Sequence, residues 1–176
     1  MIGINKLFKP VKVKPRKSIN YKELSSLLIK IEPFPIKVKL VFLLSLFILL
    51  RPGEVVKLKW SWIRNDVLVI PSKEIKNRKE FHISLNPIII KLLEIIKKNN
   101  KHKRSSYLFT GTKSNKHLCS QYLTNYLRSR KEFRGYLVPH GIRSIGRTWM
   151  ADNKVSFEVA EACLSHTTGN NVSRAY

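Results

Sequence analysis

The stretch VFLLSLFILLRPGE, residues 41–54, decides what kind of molecule this is. Residues 41–50 run without a charge. A membrane-spanning helix needs about 20 apolar residues, so this run is too short to span. It follows Lys37 and Lys39, lies far into the chain and has no small-residue cleavage site after it, so it is not a secretory leader. The remaining reading is a buried core helix over roughly 36–50. Its end is unusual. Arg51 closes it, Pro52 suits the first turn of a following helix, and Glu54 comes three residues later. A guanidinium at the end of a core helix needs either an acidic partner, such as Glu54, or an anionic ligand. Arginine suits two-pronged contact with phosphate.

The rest of the chain supports an anionic partner. Lys and Arg number 34 against 11 Asp and Glu, giving a net charge of +23 on 176 residues. Such an excess repels itself in the compact state and points to a polyanion, here double-stranded DNA rather than a membrane. With 43% hydrophobic residues the chain is globular, and its length suits one domain. Cys119 and Cys163 have no CxxC spacing, which fits a reducing cytoplasm and neither a disulfide framework nor a zinc site.

Residues 1–18 are basic, carry Pro10 and Pro15, and read as a linker or arm. Asn20 with Glu23 reads as a capping box opening a helix to residue 31, stopped by Pro33 and Pro35. After the buried helix an apolar pattern resumes over 51–60. DVLVIPS and FHISL are β-rich runs joined by a lysine-rich loop, a hairpin over about 67–85. Pro87 opens an amphipathic helix, 105–117 is a loop, and helices follow over 119–130, 139–153 and 156–164. The order predicts a mainly helical α+β domain. Trp60, Trp62 and Trp149 read as core or core-edge residues, and His82, His102 and His117 as surface.

PHGIR sets His140 and Arg143 three residues apart, on one helix face. His166 follows the last helix, and Tyr176 follows ten residues later. The acids form no cluster of the kind that holds Mg²⁺, and there is no glycine-rich phosphate loop. What remains suits phosphoryl transfer without metal or cofactor. Two arginines neutralise non-bridging oxygens, a lysine protonates a leaving alkoxide, histidines move protons and a tyrosine attacks.

Taken in order, LLRPGE, the hairpin lysine, PHGIR, LSH and VSRAY resemble the catalytic domain of tyrosine recombinases, the phage-integrase family. The look is that of satellite-phage and genomic-island integrases, and it covers residues 20–176. The resemblance implies the DNA breaking-rejoining fold with its small sheet. It implies that Arg51 and Arg143 grip the scissile phosphate, Lys76 protonates the departing 5′-hydroxyl and His140 takes the tyrosine proton. His166 would hydrogen-bond the phosphate, Tyr176 would form a 3′-phosphotyrosyl link, and Glu54 would orient these groups without reacting. Lys73 and Lys79 flank Lys76; counting back from HISL selects Lys76, although Ser84 stands where the family has proline. Ser165 stands where the family has Gly or Ala.

The resemblance also implies an upstream core-binding domain and a C-terminal tail beyond this chain, and a tetramer on DNA. The piece alone would be a monomer and a poor recombinase. Ser120, Gln121 and Asn125 are the candidates for base contact, and Arg147 for a backbone phosphate. Two rival readings remain at this point: a DNA-binding relative that does not cut, and a type IB topoisomerase-like enzyme.

Overall fold

The computed structural model describes residues 19–75, 79–102, 104–113, 116–133 and 136–165. Helix α1 (Leu24–Ile31) follows a short 3₁₀ turn and leads through Pro33 and Pro35 into α2 (Ile36–Ile48). Then come α3 (Pro52–Val55), strands β1 (Ile63–Arg64), β2 (Val67–Ile70) and β3 (Phe81–Ser84), and helices α4 (Pro87–Asn99), α5 (Tyr122–Ser129), α6 (Gly141–Asp152) and α7 (Phe157–Cys163). The expected mainly helical domain with a small sheet is the observed one.

Helix α2 is the axis of the domain. Val38, Val41, Phe42 and Leu44 are almost completely buried, and α3, α4, α5 and α6 all pack against this helix. A helix apolar all round has to be enclosed by others. Its one interior hydroxyl is satisfied locally, since Ser45 Oγ donates to the Val41 carbonyl at 2.7 Å. Among the described residues no helix is long and apolar enough to cross a membrane.

The hairpin forms as expected, with Leu68 opposite Ile83 and Ile70 opposite Phe81. A third strand, β1, adds to β2 through Ile63 opposite Leu68. Two residues are too few to show a periodic pattern, so this strand is not legible in the sequence. The turn between β1 and β2 uses Asn65 at φ 52°, a left-handed conformation that asparagine tolerates.

Three further expectations are corrected. The helix after Pro52 stops at Val55. The chain beyond it pairs instead with a distant segment, Trp60 N donating to Ser106 O at 2.9 Å and Leu108 N to Leu58 O at 2.9 Å. The described residues of 105–117 form the expected loop. Buried Asn100 donates to the carbonyls of Tyr107 and Leu108, both at 3.3 Å, and accepts from Thr110 Oγ1 at 2.9 Å. Asn20 caps its turn through Lys22 N, while the Glu23 carboxylate accepts from the Tyr136 hydroxyl at 3.1 Å, a partner 113 residues away. Trp149 is 48% exposed on α6 rather than at the core.

Candidate active site

The site is built where α2 ends. Leu49 takes a left-handed conformation (φ 54°, ψ 18°) that breaks the helix, and Leu50 is buried beyond it. Arg51 is extended (φ −64°, ψ 138°), as the residue before a proline must be, and Pro52 starts α3. One turn on, Glu54 folds back. Its Oε2 accepts from the Arg51 backbone N–H at 2.9 Å, and its Oε1 from Arg51 Nη1 at 3.0 Å. The same carboxylate lies 3.9 Å from Arg143 Nη1 on α6. One anion therefore stands between two guanidiniums.

The two arginines differ in exposure. The Arg51 side chain is 36% exposed and faces solvent in part, whereas that of Arg143 is 3% exposed. Arg143 Nη2 donates to the Leu164 carbonyl, just past α7. Burial, and after it repulsion from Arg51, lowers the Arg143 pKa to about 10; Glu54 and Glu161 pull the other way. Arg143 still carries its charge at neutral pH, and the neighbouring Arg51 charge opposes it. A phosphate arriving there relieves the repulsion.

The close approach of α6 makes this geometry possible. Gly146 sits one turn after Arg143, against the Leu49 side chain, and a Cβ at this position would collide with Leu49 Cδ2. A glycine here lets α6 reach the end of α2. His140 occupies the start of α6 and is half-buried, and its carbonyl accepts from Arg143 N at 3.3 Å.

The hairpin loop leaves from the same place. Glu54, Lys57, Trp62, Glu74 and Ile75 line one shallow cleft, and buried Ile75 anchors the first half of the β2–β3 connection. Lys73 and Lys79 are exposed in that connection. Lys76 lies outside the described residues, as do His166 and Tyr176. Of the six expected catalytic residues, the structure brings Arg51 and Arg143 to one carboxylate, and His140 opens the helix that carries Arg143.

Ser165 is the last described residue. It follows α7 at φ 50°, with its N–H donating to Ala162 O at 2.9 Å. That is a left-handed helix cap, where glycine is preferred. Ser165→Gly is expected to raise stability by roughly 0.5–1 kcal/mol, the left-handed cost less the extra chain entropy of glycine. Thermal or chemical denaturation reads this directly, and a destabilised Ser165→Gly protein would contradict it.

The residues expected to read DNA fall differently from the sequence reading. Helix α5 begins at Tyr122, so Ser120 and Gln121 precede it. Gln121 and Asn125 are exposed one turn apart, while Ser120 is half-buried with its carbonyl against Gly53. The start of α5 therefore abuts the turn that follows Arg51. Arg147 has a partner within the chain: its Nε lies 3.2 Å from Glu161 Oε1, and its guanidinium lies 5.4 Å from the Phe157 ring centroid. Gly146 and Glu161 are the positions the sequence reading missed. A glycine inside a helical pattern was the available signal for the first.

The phage integrase family model matches residues 17–176. Prophage integrase IntA of Escherichia coli is 27% identical over 179 residues, covering 99% of this chain and 43% of that protein. The chain thus spans less than half the length of this curated relative. A lambda integrase dimer bound to a COC' core site matches with a TM-score of 0.72 at 18% identity, over 96% of this chain and 62% of that one. The lambda integrase catalytic core gives 0.66 at 17% identity, over 89% and 95% of the respective chains. XerH site-specific recombinase bound to difH gives 0.68 at 22% identity, over 91% and 49%. At these identities the structural likeness is one of fold. Matched by the family model from residue 17 to its last residue, and folded as the lambda catalytic core is, the chain belongs to the phage integrase family.

Proposed function

We propose that this chain is the catalytic domain of a site-specific DNA recombinase that cuts and rejoins strands through a 3′-phosphotyrosyl link. The observation that carries the reading is the Glu54 carboxylate set between Arg51, partly open to solvent, and Arg143, buried. Two forked cations facing one point match the two non-bridging oxygens of a phosphodiester. Such groups are held ready for charge that grows in the transition state.

In this reading the Tyr176 oxygen attacks the scissile phosphorus, and its proton passes to His140. The phosphorus–O5′ bond breaks, and Lys76 delivers a proton to the departing 5′-oxygen. His166 donates to a phosphate oxygen. The energy of the diester bond is kept in the phosphotyrosyl ester, so the reverse attack by a 5′-hydroxyl reseals the strand. These groups supply both charge and protons, and the step needs no metal. Double-stranded DNA is the substrate, with the full-length protein acting as a tetramer upon it.

A duplex pool carrying nicks near random positions, which let the short cleaved strand diffuse away, tests the reading. The expected product is a protein–DNA adduct on a denaturing gel, formed equally with EDTA and mapped to Tyr176 by peptide mass. Tight DNA binding with no adduct from any fragment would favour a non-cutting relative. Relaxation of supercoiled DNA without sequence preference would favour a topoisomerase-like enzyme.

A further inference from the structure

The helix that leads to the C-terminal catalytic groups is weakly held. Helix α7 has seven residues, too few to be stable alone. Among them only Ala160 is buried. Its apolar contacts belong to a small cluster of Met150, Ala160 and Leu164 with Leu49 and Val155, separate from the main core. A segment with so little burial opens easily unless something else fixes it.

Two arginines of α6, one turn apart, reach α7 near its two ends. Arg143 donates to the Leu164 carbonyl just past the C-terminus of α7. Arg147 bonds Glu161 at 3.2 Å and lies over Phe157, the first residue of α7. The Arg147 and Glu161 side chains are 30% and 14% exposed, so water screens this pair less than an open surface pair. After Leu164 the chain turns through Ser165 at φ 50°, and His166 and Tyr176 follow in sequence. The seat of α7 on α6 therefore sets the origin of the segment that carries both groups. The helix it sits on is the one that holds Arg143.

We propose that Arg147 and Glu161 are a positioning pair, which locks α7 on α6 and so fixes where the chain leaves α7 at Ser165 relative to Arg143. The proposal rests on the function proposed above. It departs from the sequence reading of Arg147 as a phosphate contact, and the two readings predict opposite results for Glu161→Gln. If Arg147 binds phosphate, freeing it from Glu161 tightens DNA binding and leaves cleavage intact. If it is a lock, the same isosteric change slows cleavage and leaves affinity alone.

The test compares Glu161→Gln, Arg147→Met and the exchanged pair Arg147→Glu with Glu161→Arg. DNA affinity, the adduct rate at saturating DNA and hydrogen exchange along α7 are measured for each. Both single variants are expected to slow the adduct step roughly 10-fold, within the range that a small misplacement costs. Their affinity should stay within about 2-fold of wild type, and amides of α7 should exchange faster while those of α2 do not. The exchanged pair should regain part of the rate. Variants that react and exchange like an active wild type would overturn the pair alone. So would a loss of affinity confined to Arg147→Met. A wild-type protein that binds DNA and never forms an adduct would overturn the reaction itself, and the positioning role with it.

Discussion

Arg143→Met is expected to slow covalent adduct formation by about 10³-fold, the scale of removing one preorganised donor from a transition state. The thermal midpoint is expected to change little, because the desolvation cost that is removed is set against the lost donor to the Leu164 carbonyl. Both start from one fact: the guanidinium is 3% exposed and stands near a second cation. Burying a charge has a desolvation cost that the Glu54 carboxylate, at 3.9 Å and shared with Arg51, offsets only in part. Methionine fills much of the same volume without that cost, and Glu54 keeps Arg51 as its partner.

The pH dependence has a definite sign. The folded-state pKa of Arg143 is about 10, below the ordinary 12.5. Below pH 10 both the folded and the unfolded chain hold this proton, and the burial penalty is present in full. It fades as pH rises from the folded towards the unfolded value. On the proposed function, cleavage is expected to go the other way and fall as pH passes 10, because the neutral form no longer attracts phosphate. Adduct rates from pH 8 to 10.5 and thermal midpoints for the wild type and Arg143→Met check both limbs. A fully active Arg143→Met protein, or one that unfolds at room temperature, would remove the argument.

The sequence revealed the elements that rest on local chemistry. The apolar run of α2, Pro87 opening α4 and the β-rich runs at 67–85 each carry their own signal. Arg51 and Glu54 were readable as partners because they lie one helical turn apart. The missed features depend on residues distant in sequence. Glu23 finds Tyr136, Asn100 organises the 105–117 loop, and Trp60 bonds the chain at Ser106. Glu23–Tyr136 and Trp60–Ser106 lie outside any window of a dozen residues, and the Asn100 contacts, though nearer, follow no periodic pattern. Gly146 against Leu49 and Arg147 against Glu161 are of the same kind. Arg51 and Arg143 were thus legible as candidates, while the packing that makes them converge was not.

Tyr176→Phe is expected to abolish the adduct, a loss of at least ~10⁴-fold by the scale of other nucleophile deletions. DNA affinity should stay within about 2-fold, since the backbone contacts come from Lys and Arg. The substitution removes only the oxygen that would form the ester and keeps the ring. Its force depends on whether another phenol can take over, and the structure answers for the other five tyrosines. Tyr136 donates its hydroxyl to Glu23 at 3.1 Å. Burial, and after it Tyr126, pushes the Tyr122 phenol up, which makes its oxyanion harder to form. The Tyr21 phenol is also raised, by burial first and then by Asp152. Tyr107 packs edge-on against His117, with ring centroids 5.5 Å apart. Tyr126 is the one whose oxygen accepts from a guanidinium, Arg130 Nη2 at 2.8 Å. A cation beside a phenol is what an activated tyrosine requires, so Tyr126 is the internal control. It lies half-buried on α5, and its ring is fixed edge-on to Phe34 at 4.9 Å. An adduct that survives in Tyr176→Phe and maps to Tyr126 would move the nucleophile to α5. An adduct lost in Tyr176→Phe and retained in Tyr126→Phe would assign it to Tyr176.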